Sequence, residues 1–511
     1  MAAQVSGAAR LRENIVWNVI GQCLVLALSV VAVRFIFARL GGDVLGVVFF
    51  VLTLSPLLTT ALDLGLSTTV VREVSQRHDR DAAYVRELCR TIGTVCWAMY
   101  ALGGIALLVA APLLASRWLH STSLDAGSAT TLLRLLGVGA LTALPRAFYA
   151  GVLRGLQRMR WTNAVDVGMA ALQQGGTAVL LWRGAGSMAV VAWMAGCFWL
   201  ATGAYVAVTA SHLGLGAVLP GWSPAAIARV RGFAGYAFTI SLLGALALQL
   251  DKLLVSRMLP LATFGVYSFI ASLAFRALVI SVAISLASWP ALSALLASGE
   301  PAQLQRVYRR VQDLQCLLAV PTLALPLYVL APVAGYAFGH QVTVLLAPLG
   351  LLCLGFWIQI AIRTPITVLV ASGSPALVAG ASLLGLAVSA PVGLAATSRL
   401  GMMGAALYWL LYSVVMCAYL VWRSARRVLH TTPLAWGAHA GRVLAVGLLV
   451  FGPPLALASW RGASAGMLAV LYGLAGALFL VICSRGLMGD ELRSSVAVLS
   501  RQLRLRLARS M

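Results

Sequence analysis

The sequence predicts an all-α protein that crosses a membrane about 14 times, from its composition, its hydropathy and the placement of its arginines. Hydrophobic residues make up 61% of the 511 residues and charged residues only 10%, which is too apolar for a soluble fold of this length. Apolar runs of about 20 residues, long enough to span a hydrocarbon core of ~30 Å, recur from end to end. The net charge of +23 is not concentrated on a soluble domain, so we expect no nucleic-acid partner.

Hydropathy and turn residues divide the chain into predicted spans. They lie at 15–37, 44–66, 91–114, 131–152, 163–182, 188–209, 232–256, 264–287, 314–331, 342–370, 376–397, 401–422, 443–459 and 463–483. The first run is too long for the hydrophobic region of a signal peptide, and no small-residue cleavage site follows it. We therefore expect the first span to remain in the mature chain.

Basic residues alternate between the two sides of these spans. With the N-terminus in the cytoplasm, 25 of the 37 basic residues fall on the cytoplasmic side, 6 on the other side and 6 within spans. This bias follows the positive-inside rule and predicts that both termini are cytoplasmic. The tail from Glu491 places apolar residues on one helical stripe, which predicts an amphipathic helix on anionic phospholipid of the inner leaflet. An unstructured basic tail is the alternative.

The two halves of the chain repeat each other at an offset of about 218 residues. Arg34 and Gly46 match Lys252 and Gly265, and the segment from Pro145 resembles the segment 365–373. We therefore predict an N-terminal six-helix bundle (1–220) and a second one (221–430), related by a pseudo-two-fold axis along the membrane normal. Transmembrane helices 13 and 14 (431–484) and a basic tail (485–511) follow them.

Charged residues within the spans are the candidate functional residues. An ionisable side chain there costs roughly 2.5–3.5 kcal/mol on insertion scales, so it usually faces a cavity or a partner. Arg276 and Arg363 lie deep in their spans, whereas Arg34, Lys252 and Arg146 lie nearer to a surface. Because arginine stays charged and binds phosphate in a bidentate manner, these cations are candidates for an anionic substrate. A buried ion pair for the deep arginines and snorkelling for the others are the alternatives.

The acidic residues in or next to spans have two interpretations. Asp251 stands beside Lys252, the only lysine of the chain, which predicts an ion pair inside the membrane. A carboxylate that couples transport to a proton or another ion is the alternative for Asp251 and for Asp63. For Asp63 and Asp166, at inner span ends, salt bridges to loop arginines are the favoured interpretation.

The remaining reactive residue types give no sign of a cofactor or a metal. None of the eight cysteines forms a C-x-x-C pair, and most lie inside predicted spans, where cysteine behaves as a small hydrophobic residue. The predicted outer loops are short, their only acids are Asp43 and Asp125, and His120 and His340 are isolated. A membrane-embedded polymerase or glycosyltransferase would need more reactive residues there, so we expect that the protein is not an enzyme.

Several diffuse motifs run through spans 1–12. They are N-x-x-G at Asn18 and Gly21, RLGGDVLGVVFF, DLGL from Asp63 to Leu66, QLDKLLVSRMLPLATFGVYS in span 7, and G-x-x-G-A-A-L from Gly401 to Leu407. In these motifs the sequence resembles the Wzx-type polysaccharide flippases of the multidrug/oligosaccharidyl-lipid/polysaccharide (MOP) exporter superfamily. No single motif is specific on its own.

The resemblance implies a function and a location. A flippase of this type moves an undecaprenyl-pyrophosphate-linked oligosaccharide from the inner to the outer leaflet of the bacterial inner membrane by alternating access. It serves polysaccharide, O-antigen or capsule synthesis, where a polymerase and chain-length proteins would be partners. A cation-coupled multidrug antiporter of the same superfamily is the alternative. Such an antiporter would need acidic residues in its cavity, and the surplus within these spans is basic.

Overall fold

A computed structural model of the chain describes residues 27–339, 342–429, 432–487 and 493. The described residues form α-helices joined by short turns, and no strand occurs among them. The start of the first predicted span, the N-x-x-G motif, His340 and nearly all of the tail that follows residue 487 lie outside the described residues.

The helices follow one another with few intervening residues. They are α1 (27–40), α2 (Gly42–Asp63), α3 (Leu66–Arg77), α4 (Ala82–Leu113), α5 (Ala126–Leu141), α6 (Ala143–Gly155), α7 (Met159–Trp182), α8 (Ser187–Leu213), α9 (Pro224–Met258), α10 (Leu261–Phe275), α11 (Ala277–Ser298), α12 (Pro301–Phe338), α13 (Val342–Ala361), α14 (Arg363–Ala371), α15 (Pro375–Leu400), α16 (Met402–Ser424), α17 (Pro433–Arg461) and α18 (Ala465–Ile482). Short π-helical turns extend α4, α16 and α18.

Among the described residues, 12 helical stretches are long and apolar enough to cross a membrane. They coincide with the predicted spans except the first, which is described only from residue 27, and the fifth. Helix α7 occupies the predicted fifth span, where Arg160, Asp166 and two glutamines make it less apolar. The prediction of an all-α, multi-pass membrane protein with about 14 spans is confirmed.

The helices pack into two compact units, Met1–Val266 and Tyr267–Met511. In the first unit α2 packs against α5 and α9, and α8 packs against α5, α6 and α7. In the second unit α13 and α15 pack against α16, and α11 packs against α12 and α14. The first unit extends beyond the predicted repeat boundary after residue 220, because α9 packs along α2 and α3. The six-helix bundles are defined by the sequence repeat, and they stay a prediction.

The two C-terminal helices are fastened to α12 of the second unit. The hydroxyl of Tyr328 donates to the carbonyl of Phe451 on α17 at 2.7 Å. The hydroxyl of Tyr472 on α18 donates to the carbonyl of Pro321 at 2.9 Å. Nearer the start of α12, Oδ1 of Asp313 lies 2.8 Å from Nε2 of His439 on α17. Polar side chains of α12 and α18 therefore attach helices α17 and α18, which lie outside the predicted repeat.

A proline breaks one helix in each unit at corresponding positions. Helix α5 ends at Leu141, four residues before Pro145, and α13 ends at Ala361, four residues before Pro365. Proline has no N–H to donate to the carbonyl four residues earlier, and its ring clashes with that carbonyl. Each helix therefore ends at the residue whose carbonyl the proline fails to bond. The two prolines are 220 residues apart, close to the offset of the predicted repeat.

The carbonyl released by Pro365 has a substitute donor, Gln312. Its Nε2 donates to the carbonyl oxygen of Ala361 at 2.8 Å, and the side chain is buried. We expect Gln312→Leu to lower the free energy of unfolding by about 1–3 kcal/mol, because it removes this donor from a buried carbonyl. Denaturant unfolding of the purified protein in detergent would measure the loss.

The control for Gln312 is a second substitution at Pro365. Pro365→Ala restores an N–H that is able to donate to Ala361, so the double variant Gln312→Leu/Pro365→Ala should regain most of the lost stability. An equal loss in the single and double variants would show that the carbonyl of Ala361 is not the cause.

The arginine bias predicts which side of the membrane each connection faces. Reporter fusions after Arg90 and after Arg427 should report the cytoplasm, and fusions near His120 and His340 should report the periplasm. Several arginines predicted in the second loop, among them Arg72 and Arg77, lie on helix α3. A cytoplasmic signal at either histidine would contradict both the topology and the predicted repeat.

Candidate functional site

The two deepest arginines lie at helix breaks in the second unit. Arg276 is the one residue between α10 and α11, and Arg363 is the first residue of α14. Both side chains are partly buried, and the Nε atom of each is buried without a hydrogen-bond partner in the described part of the chain. Because an unsatisfied guanidinium is costly inside a membrane, these N–H groups are suited to an anion supplied from outside the chain.

Neither arginine is paired with an acid among the described residues. Phe275, which precedes Arg276 in the chain, has its ring centre 6.1 Å from that of Phe356 on α13. The ion pairs between described side chains include neither Arg276 nor Arg363. The described residues therefore do not form the buried ion pair that was the alternative interpretation of these two arginines.

A cleft with several polar side chains lies within the first unit, between α2, α5, α6, α7 and α8. Its volume is about 470 Å³, and its lining includes Arg146, Asp166 and Tyr205. The hydroxyl of Tyr205 donates to Asp166 at 2.9 Å, and the guanidinium of Arg146 lies 6.0 Å from the centre of the Phe198 ring. The hydroxyl of Thr59, also in the lining, is buried with no partner among the described residues. The cleft thus offers one cation, one carboxylate and several hydroxyls.

The predicted ion pair between Asp251 and Lys252 is present on α9. Its Nζ–Oδ1 distance is 3.4 Å, and Nζ also donates to the carbonyl of Leu248 at 2.9 Å. Adjacent helical residues point in different directions, which keeps this distance long. Asp251 is buried, at 2% exposure. Its role as an ion-coupling carboxylate stays a prediction, as does substrate binding by Lys252 and by Arg34, a half-buried residue of α1.

The prediction that Asp63 and Asp166 form salt bridges to loop arginines is wrong for the described side chains. The DLGL segment turns through left-handed backbone at Leu64 (φ 51°) and Gly65 (φ 76°). This turn brings the backbone N–H of Ser67 to 3.2 Å from Oδ1 of Asp63, and the Ser67 hydroxyl also donates to it. Asp63 therefore accepts hydrogen bonds from the first turn of α3, and its role as an ion-coupling carboxylate stays a prediction.

A buried acid at the start of α2, Asp43, is not among the predicted site residues. Oδ2 of Asp43 accepts hydrogen bonds from the backbone N–H groups of Thr122 (2.7 Å) and Ser123 (2.6 Å). The same loop accepts a bond at the His120 carbonyl from the N–H of Leu261 (2.9 Å). The loop before α5 is therefore fastened to the starts of both α2 and α10. The only sequence signal for these contacts of Asp43 is that a single acidic residue follows two glycines.

Comparison with known proteins identifies the family. The profile of a family described as "Polysaccharide biosynthesis protein" matches residues 36–347, more than half of the chain. The chain belongs to this family. The match includes Arg146, Asp251, Lys252 and Arg276 and ends before Arg363. Among curated protein sequences nothing matches significantly.

Several solved structures of transporters share the fold of this chain. The lipid II flippase MurJ, in an inward closed conformation, has a TM-score of 0.66 at 12% identity, over 93% of this chain and 100% of its own. An inward-facing multidrug resistance MATE transporter has a TM-score of 0.63 at 13% identity, over 80% and 98%. The MATE multidrug transporter DinF-BH, solved as a ligand complex, has a TM-score of 0.62 at 16% identity, over 83% and 96%. The chain therefore has the fold of these transporters, as the resemblance to the MOP exporter superfamily implied.

Proposed function

We propose that this protein is a flippase that moves an undecaprenyl-pyrophosphate-linked oligosaccharide from the inner to the outer leaflet of the bacterial inner membrane, and that it is not an enzyme. The observation that carries the proposal is the environment of the Arg276 and Arg363 side chains. Each places a partly buried guanidinium, whose Nε has no partner among the described residues, at a break in a membrane helix. The polysaccharide biosynthesis family supports the substrate class.

The chemistry of the substrate explains why arginine is used at these positions. Two linked phosphates must leave water when the headgroup crosses the membrane, and their charge is costly in a medium of low dielectric constant. A guanidinium stays ionised there and presents parallel N–H groups to phosphate oxygens. The cost of each buried arginine, roughly 2.5–3.5 kcal/mol on insertion scales, is offset while the diphosphate is bound. Arg276 and Arg363 therefore stabilise the charged headgroup inside the membrane, where water is not present to solvate it.

The remaining candidate residues fit accessory roles in this proposal. Arg34 and Lys252, near the predicted outer ends of their helices, would attract the diphosphate as it leaves. The polar cleft of the first unit, with Arg146 and Asp166, offers hydrogen-bonding groups for sugar hydroxyls. Sugars bind through several moderate hydrogen bonds, and this cleft supplies both donors and acceptors.

Transport in proteoliposomes tests the proposal. The purified protein is reconstituted with undecaprenyl-pyrophosphate oligosaccharide, and an external lectin reports how much glycan becomes accessible with time. We expect the wild type to move glycan and the variant Arg276→Ala/Arg363→Ala to be slower by at least about tenfold. The matched control Arg309→Ala/Arg310→Ala removes two exposed arginines of α12 and should transport normally. Absence of movement by the wild type, with folded protein in the vesicles, would contradict the proposal.

A cation antiporter is the second candidate, and one observation favours it. Asp166 is an exposed carboxylate in the cleft of the first unit, a group that would attract a cationic drug. DinF-BH, which shares the fold, is a multidrug transporter. Efflux of the cationic dye ethidium from cells that express this chain, abolished by Asp166→Asn, would favour the antiporter over the flippase.

A further inference from the structure

The end of α16 carries a cluster of arginines stacked on aromatic rings. The guanidinium carbon of Arg423 lies 4.8 Å from the centre of the Trp422 ring and 5.2 Å from that of Tyr419. Arg426, one turn further on, lies 4.9 Å from the same Trp422 ring. Two guanidinium groups thus share one indole, and each keeps N–H edges that the ring does not cover.

The charge of this cluster is not balanced within the described chain. Arg423, Arg426 and Arg427 lie within five consecutive residues, and the ion pairs between described side chains include none of them. The Nε of Arg423 is buried with no hydrogen-bond partner in the described ranges. By contrast, Arg77 stacks on the ring of Tyr84 and also pairs with Glu73. Like charges held this close repel, so the cluster favours an anion from outside the described chain.

The cluster lies at the depth of lipid headgroups. The membrane-spanning stretch that contains α16 begins at Met402, and about 20 residues cross the hydrocarbon core, so Trp422 and the arginines emerge at its far end. Tryptophan is typical of this interface. The positive-inside bias assigns this end to the cytoplasmic leaflet, where anionic phospholipids attract basic side chains.

An exposed stripe along α16 leads to the arginines. Val414, Ala418, Trp422 and Arg426 recur at intervals of four residues, and all four side chains are exposed. Residues at this spacing share one helix face. The face is apolar until Trp422 and then cationic, the order in which an acyl chain and its phosphate lie in a leaflet.

We propose that the end of α16 is a binding site for the headgroup of an anionic phospholipid, whose phosphate is held by Arg423 and Arg426 and whose acyl chain lies along the stripe. The phospholipid would be a retained structural lipid and not the transported molecule. This site is separate from Arg276 and Arg363 and does not depend on the proposed transport function.

Mass spectrometry of the intact full-length chain tests the site. The protein in detergent is titrated with phosphatidylglycerol or with phosphatidylcholine as a neutral comparison. We expect Arg423→Ala/Arg426→Ala to weaken phosphatidylglycerol retention roughly 30-fold, at about 1 kcal/mol for each arginine. The control Arg309→Ala/Arg310→Ala, which removes two exposed arginines from α12, should change retention by no more than about twofold.

Other variants separate stacking from charge and guard against misfolding. Arg423→Lys/Arg426→Lys keeps both charges but loses the planar stacking, so it should retain the lipid at an intermediate level. It also keeps the test valid if the alanine variant does not fold. Wild-type retention by the alanine variant, an equal loss in the α12 control, or equal binding of phosphatidylcholine would overturn the proposal. Displacement of phosphatidylglycerol by equimolar undecaprenyl pyrophosphate would also overturn it, by making this a substrate site.

Discussion

Replacing Arg276 with alanine is expected to reduce export of the lipid-linked glycan at least about tenfold without reducing the amount of protein in the membrane. A hydrogen bond to a charged group is worth about 1.5–3 kcal/mol, which corresponds to roughly 10- to 100-fold in rate when it is made only during transfer. Since Nε of Arg276 has no partner among the described residues, truncation should cost little stability. Arg276→Lys keeps the charge but loses the bidentate geometry, so it should retain part of the activity.

Two measurements and one control make this test specific. The amount of surface glycan at native expression measures transport, and quantitative blotting of the membrane fraction measures the amount of protein. The control is Arg134→Ala, because Arg134 is exposed in a predicted span and donates to the carbonyl of Leu108 at 3.0 Å. Normal surface glycan with Arg276→Ala would remove Arg276 from the transport path. A matching loss with Arg134→Ala would show that any arginine within a span has the same effect.

Hydropathy is sufficient to predict the membrane helices, because each span must be apolar along its whole length whatever its neighbours are. Pro145 and Pro365 explain the breaks after Leu141 and Ala361 once these are seen, but the sequence does not single them out, because Pro56 and Pro348 lie inside unbroken helices. The break at Arg276 has no such signal, because no proline lies four residues after Phe275. Its cause is in the packing of the second unit, which the local sequence does not contain.

Side-chain partners are predictable here only when they are close in sequence. The predicted pair of Asp251 and Lys252 is adjacent, and it is present. The bond between Tyr205 and Asp166 joins residues 39 positions apart, a separation that no local sequence pattern covers. Asp63 shows a different limit: its partner Ser67 is near, but the partnership depends on left-handed backbone at Leu64. The sequence indicates that an acid is buried, and it does not identify the donor.

The second large effect is expected at Asp251 and Lys252. The exposed fractions of the Lys252 and Asp251 side chains are 18% and 3%, so screening by water is limited. Lys252→Met or Asp251→Leu removes one charge and leaves the opposite charge in the membrane without this partner. Each single variant should lose about 3 kcal/mol of folding free energy, seen as reduced protein in the membrane. The double variant removes both charges, so its stability should return close to that of the wild type.

The double variant also decides whether Asp251 couples transport to an ion. If the pair is only structural, Asp251→Leu/Lys252→Met should recover folding and gradient-dependent transport together. If Asp251 is the coupling carboxylate, the double variant should fold but fail to transport against a gradient, because no group remains to take up and release the ion. Proton or sodium flux in vesicles, recorded beside glycan movement, distinguishes these outcomes. Full gradient-dependent transport by the double variant would assign Asp251 and Lys252 to the architecture of α9 and exclude them from coupling.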